Sequence, residues 1–363
     1  MSAGTLADAL WAIPAVDHHA HGVVAFEPTL DEFRGMFSES PDPAQWPHIA
    51  TGLTYRRAMA ELSQFLACGP GEEAVYGHRL AAGFDEYSAG LLRASGTGLL
   101  LIDDGYPAAG EGYDWRRMGE LADCPVRPVM RIERVAEEAL SGSFDEFRER
   151  VRAEVSSARA RGFAGLKTIA AYRTGLDLAP ADVEAAREAF RASGPRLAAK
   201  PLLELALWDA LEANAADPLP LQVHCGFGDS DLLLPRADPT WLKPAIERYR
   251  SMPFVLLHCY PFVREAGWLA HVYGNVFFDL SLTIPHVSRP AEMVRQALEL
   301  APASKLLYAS DAARTPELYL LAARWWRTAL AEVLGAEFPA ADAERVGSMI
   351  LRENAHAVYP LDG

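Results

Sequence analysis

Eight short apolar runs alternating with amphipathic helical stretches predict an α/β protein folded as a (β/α)8 TIM barrel. Three observations support this. Most of the runs are continuously apolar rather than alternating, the pattern of parallel strands covered on both faces. The segments between them carry apolar residues at helical spacing. The 363 residues fit either two average domains or one barrel, and no repeat, low-complexity tract or second domain boundary divides them.

In chain order the predicted strands are Ala12–Asp17, Leu99–Asp103, Val126–Ile132, Gly165–Ile169, Leu219–His224, Phe254–His258, Val276–Leu280 and Lys305–Ser310. The predicted helices after the third strand are Phe144–Arg161, Pro180–Ser193, Pro201–Asn214, Ser288–Leu300, Pro316–Gly335 and Ala341–Tyr359. Asp177 to Asp182 offers turn and capping residues, with Pro180 expected near a first helical turn. The interval after the first strand, residues 22–97, is too long for a structureless loop. Tyr55–Leu66 and Gly83–Ala94 look helical, so a helical insertion is expected there, forming a lid at the C-terminal mouth of a single barrel spanning residues 1–363.

Composition narrows the function classes. Hydrophobic residues make up 50% of the chain, ample for a large core. A net charge of −15 repels phosphate backbones and anionic lipid heads, so neither nucleic acid nor a membrane is an expected partner. Small-molecule binding is expected instead, and an anionic substrate would need local basic residues. Cys68, Cys124, Cys225 and Cys259 are widely spaced, so no disulfide framework or zinc knuckle is expected and a cytoplasmic location is the default. Met1 to Leu10 lacks a signal-peptide pattern, and no run reaches membrane-spanning length. Self-association into a homo-oligomer is compatible with this composition.

Polar residues recur at the ends of the apolar runs. Ile13-Pro14-Ala15-Val16-Asp17-His18-His19-Ala20-His21 closes the first strand with two imidazoles at i and i+2. In extended chain these face the same way, while His18 faces elsewhere. Convergent imidazoles begin a site for zinc or another divalent transition metal. Lys167 sits inside the apolar fourth strand, where a lysine is costly unless paired or chemically altered. It could be carboxylated to a carbamate that bridges two metals, or remain a cation that binds substrate or carboxylate. The null for Lys167 is a side chain snorkelling to the barrel rim. His224 and His258 end strands five and six, and Asp311 follows strand eight. For Asp311 a helix N-cap competes with a metal ligand, but Pro316 lies nearer the helix start. Arg173, Arg314, Tyr172 and His286 lie on loops at the same face and are candidates for substrate binding; a surface salt bridge is the competing reading of each arginine. Cys225 and Cys259 should face away and pack. His48, His78, His271 and His356 have surface or packing readings.

HxH on strand one, Lys on four, His on five and six, and Asp on eight resemble the amidohydrolase superfamily, from Val16 to Asp311. Gly165-Leu166-Lys167-Thr168-Ile169-Ala170-Ala171-Tyr172-Arg173-Thr174-Gly175-Leu176 and Leu307-Tyr308-Ala309-Ser310-Asp311-Ala312 resemble the amidohydrolase-2 type domain of FluG-like and nodulin/glutamine-synthetase-like proteins. The resemblance implies metal-dependent hydrolysis of an amide or related C–N bond, with a γ-glutamyl amide as the substrate class.

In that reading His19, His21 and Asp311 hold a first divalent ion, with zinc the leading choice. A carboxylated Lys167 would bridge to a second ion on His224 and His258, about 3.5–4 Å away. With one ion, His224 joins its shell and His258 polarises the scissile carbonyl. Asp311 would take the water proton and pass it to the leaving nitrogen. A metal-dependent decarboxylase or isomerase on the same barrel is the alternative, and a non-catalytic metal-stabilised scaffold is the third class.

Overall fold

The computed structural model describes residues 3–107 and 110–361. Eight parallel strands follow one another around the sheet in sequence order: β1 Ala15–Ala20, β2 Thr97–Asp103, β3 Val126–Arg131, β4 Gly165–Thr168, β5 Leu221–Cys225, β6 Phe254–His258, β7 Val276–Asp279 and β8 Leu306–Leu307. The ring is drawn shut between β1 and the segment after β8. Asp311 N–H donates to His19 O at 3.0 Å, and His21 N–H to Ala312 O at 2.9 Å. The predicted barrel is therefore the observed fold.

Burial explains why these runs become strands. Val16, Leu101, Val129, Val255, Leu257 and Leu307 point into the barrel and pack with Ala355, Val358 and Tyr359 of the C-terminal segment, which plugs the floor. Each such Val or Leu contributes about 1.5–3 kcal/mol over its exposed state. A larger apolar layer fills the space between the barrel wall and the surrounding helices. Cys225 and Cys259 lie there, as expected for packing residues, and all four cysteines are free.

Several element boundaries differ from expectation, each for a hydrogen-bonding reason. The first strand runs three residues later than its apolar stretch, because ladder bonds with β2 carry it to Ala20. The eighth strand was expected over Lys305–Ser310 but pairs only at Leu306–Leu307. Beyond it, Tyr308 N–H turns to Ile350 O at 3.0 Å, and Ser310 N–H to Asp17 Oδ1 at 2.9 Å. Ile350 belongs to a π-helical turn, Met349–Glu353, that splits the predicted helix Ala341–Tyr359 into three pieces. The helix expected from Pro180 starts at Val183, because Asp182 caps it by accepting from Glu184 and Ala185 N–H.

Five helices lie between β1 and β2: Leu30–Gly35, Trp46–Ile49, Leu53–Phe65, Glu72–Ala82 and Phe84–Ala94. Arg79 pins them to the barrel. Its buried guanidinium donates to Glu317 and Thr315, each at 2.9 Å, at the start of the long helix Glu317–Glu337, and to Glu27 at 3.0 Å. Removing one partner of such a buried set costs about 3–5 kcal/mol, because the remaining charge is stranded.

Candidate active site

The barrel interior holds two layers of polar groups. Strand β1 is irregular, with a register shift between Asp17 and Ala20. Strict alternation would have sent His18 away from its neighbours. Instead His18 occupies a lower layer of the interior and His19 and His21 an upper one. In the lower layer Gln222 Nε2 donates to Tyr359 Oη at 3.0 Å and to His18 O at 2.7 Å. The Tyr359 hydroxyl lies 3.1 Å from His18 Nδ1, and His18 Nε2 lies 3.0 Å from Asp279 Oδ2.

Asp279 links this layer to the upper one. Its Oδ1 accepts from His258 N–H at 2.6 Å and from the Ser281 hydroxyl at 2.8 Å. Ser281 Oγ lies 2.7 Å from His258 Nδ1, and Leu282 N–H approaches the same nitrogen at 3.4 Å. These contacts hold the orientation of the His258 ring.

In the upper layer His19 Nε2 is 3.0 Å from Asp311 Oδ1, and His21 Nε2 is 3.2 Å from the same oxygen. His258 Nδ1 lies 3.6 Å from Asp311 Oδ2. Lys167 Nζ is 3.0 Å from His19 Nε2, and the His224 and His258 ring centroids are 4.4 Å apart. His19, His258 and Asp311 each offer a ligand atom within 4.8 Å of the others. The expected sharing put His258 with His224; the geometry keeps that neighbour and also draws His258 to the His19–Asp311 pair.

Electrostatics prepares this set for a cation. Burial lowers His19 to about 4, with Lys167 adding to the effect. Burial likewise holds His224 and His258 well below the usual histidine range. Burial opposes ionisation of Asp311, but the surrounding His258, His19 and His21 rings outweigh it and keep the carboxyl well below its usual range. The donors are thus neutral imidazoles and an ionised carboxylate, the protonation states that a divalent transition metal requires. Burial also lowers Lys167, favouring the neutral amine against the pull of Asp103 and Asp311. His19 Nδ1, His21 Nδ1 and Asp311 Oδ1 lack a well-directed hydrogen bond among the described residues, as do His18 Nε2 and Asp279 Oδ2 in the lower layer. The residues present therefore fit a metal centre.

Strain marks the same rim. His258, Cys259, Asp311 and Arg314 have φ of 68°, 66°, 49° and 65°, values disfavoured for residues with a Cβ. Such conformations cost on the order of 1–3 kcal/mol each and persist when surrounding bonds over-determine them, as the Asp279 and His19 contacts do here.

Above the layer lies a cavity of about 330 Å³, lined by Lys167, Tyr172, Arg173, His224, His258, Asp311 and Arg314 among others. The Tyr172 ring lies 4.2 Å from that of His224, tilted by 47°. Its hydroxyl occupies the space a Cβ on Gly228 would need, which explains the glycine there. Arg173 is paired to Glu137 at 3.2 Å, and Arg314 donates to Ser38 O at 2.7 Å. His286 lies outside this cavity, in an adjoining groove, with Nδ1 2.9 Å from Leu282 O.

Sequence reasoning missed Arg131, Asp103, Glu39 and Asp229. Arg131 lines the cavity at the end of β3 and is held by Asp103, at the end of β2, at 2.6 Å. A Cβ on Gly105 would strike the Arg131 side chain. The signal was available: both are charged residues closing apolar runs, like the six candidates that were singled out. Glu39 and Asp229 come from loops and had no such signal.

The amidohydrolase family model (Amidohydro_2) matches residues 139–361. The chain belongs to the amidohydrolase family. It is 30% identical to Protein fluG of Emericella nidulans over 96% of its own length, and spans about half (46%) of that relative. A Lactobacillus casei ATCC 334 structure, provisionally assigned as a metal-dependent hydrolase, superposes with a TM-score of 0.89 at 29% identity, covering 97% of this chain and 96% of that one. A uronate isomerase from Bacillus halodurans C-125 shares the fold, with a TM-score of 0.67 at 14% identity over 98% of this chain and 95% of that one. The superfamily fold thus accommodates both hydrolases and isomerases. Among the described residues, no helix of this amidohydrolase is long and apolar enough to cross a membrane.

Proposed function

We propose that this amidohydrolase cleaves a C–N bond of a small carboxylate-bearing substrate, with a γ-glutamyl amide as the leading class. The observation that carries the reading is the upper polar layer, where neutral imidazoles and one ionised carboxylate meet beneath a cavity ringed with arginines. His19, His21, His224, His258 and Asp311 would hold one or two divalent ions, zinc being the leading choice, with Lys167 as an amine or, once carboxylated, as a further ligand. A bound cation would supply Lewis acidity, acidifying water and polarising the carbonyl.

The chain's own groups do the rest. Arg173 and Arg314, with Arg131 behind them, orient the substrate carboxylate by forked hydrogen bonds. Asp311 is ionised and faces the centre, so it accepts the proton of the attacking water. It then returns that proton to the nitrogen, which leaves as an amine rather than an amide anion. Ser281, 2.7 Å from His258 Nδ1, holds that ring in place beside the centre.

The test is metal-loaded protein against a panel of γ-glutamyl amides, with free amine and carbon dioxide both assayed. Amine release supports hydrolysis. Carbon dioxide release, or isomerisation of a sugar acid, replaces it with the decarboxylase or isomerase alternative.

A further inference from the structure

A second concavity of about 630 Å³ opens beside the inner cavity. Phe37, Ile49, Leu53 and Tyr55 of the insertion line it together with Phe227 and His286, interspersed with polar residues such as Gln45, His48 and Ser230. The two spaces share Glu39, Pro41 and Asp229, so they adjoin at these residues, the neck of the proposed substrate path. Leu53 is 74% exposed in the groove, beside the partly buried rings of Phe37 and Phe227.

Charge changes along this path. Arg131, Lys167, Arg173, Arg196 and Arg314 line the inner cavity, with Asp231 paired to Arg196 and Asp311 set among the imidazoles. The neck carries two carboxylates, Glu39 and Asp229. Among the described residues, the outer groove is lined by no arginine or lysine. An anionic group is therefore held inside, and the neck repels it to the extent that Glu39 and Asp229, both raised by burial, are ionised. A nitrogen leaving toward the groove gains a proton and, as a cationic ammonium, meets the two carboxylates favourably.

From this order we infer that the outer groove binds an alkyl or aryl substituent on the leaving amine, so that the substrate is an N-substituted amide with a small anionic acyl half. The inference rests on the hydrolytic reading. The reaction balances as amide plus water giving carboxylate plus ammonium: a C–O bond forms, the C–N bond breaks, and the nitrogen keeps the electron pair.

The experiment uses the γ-glutamyl amides of methylamine, butylamine and benzylamine. In the full-length metal-loaded protein kcat/KM should rise with the amine, about fourfold per methylene buried. Leu53→Asp, at an exposed position, and Phe227→Ser should each lower the benzyl-to-methyl ratio at least tenfold. A flat series, or a ratio untouched by both variants, overturns the inference. Calorimetric binding of the same amides to Asp311→Asn separates the two claims. Affinity that follows amine size without turnover in the wild type retains the groove and overturns hydrolysis. Turnover with size-independent affinity overturns the groove alone, and absence of both overturns both.

Discussion

His18 and His19 are consecutive, fully buried and chemically identical, yet they belong to different regions of the barrel. His18 lies in a paired network, one imidazole to one carboxylate: Tyr359 meets one ring nitrogen and is held by Gln222, and Asp279 lies 3.0 Å from the other, though without a well-directed hydrogen bond. His19 lies in an open one. A single carboxylate, Asp311, faces three imidazoles, and an amine stands 3.0 Å from His19 Nε2. Burial alone therefore does not mark a ligand. What marks it is a surplus of lone pairs over protons at one point, which a cation resolves and further protein groups do not.

The comparison is most exposed to failure at the metal. Thorough chelation should abolish turnover, and adding back a divalent ion should restore it; activity indifferent to chelation would remove the distinction between the layers. Next comes Asp311→Asn, expected to lower kcat by about 10²–10⁴, as loss of an acid–base group does. Metal content by atomic emission should largely persist.

The third test sets the two histidines against each other. His19→Ala should cost metal and activity with little change in chemical stability. His18→Ala should retain metal at saturating concentration but lose about 1–3 kcal/mol in urea denaturation, because it strands the Tyr359 and Asp279 partners. Equal loss of metal in both variants would merge the layers.

A smaller effect is expected from Ser281→Ala. It removes the contact that holds the His258 ring while leaving the barrel floor intact. Metal affinity by chelator competition should fall about 10–100-fold, and Ser281→Thr should restore it. Smallest is Arg173→Ala, which should raise KM for a γ-glutamyl amide well beyond its effect on an uncharged amide. Equal losses on the two would withdraw Arg173 from carboxylate recognition.

The legible part of the site follows a simple physical rule. A polar residue closing an apolar strand is expensive unless it has work at the barrel mouth, and His19, His21, Lys167, His224, His258 and Asp311 all stood out this way. Asp103 and Arg131 obeyed the same rule on β2 and β3 and were passed over, because an aspartate and an arginine alone resemble an ordinary salt bridge, which they also form. His18 does face elsewhere than His19 and His21, as expected, but within the barrel interior rather than outside it. Alternation assumes an unbroken pleat, and the register shift in β1 turns successive residues into the same interior at two heights.

The sequence by itself determined the eight strands, their parallel order and the identity of the central polar set, because apolar periodicity and strand-end polarity are local properties of the chain. Only the tertiary structure decided which imidazole shares Asp311, why β8 ends at Leu307, and how Glu39 and Asp229 form the neck of the substrate path. Those outcomes depend on groups far apart in the polymer competing for the same protons and the same space, and no local pattern records who wins.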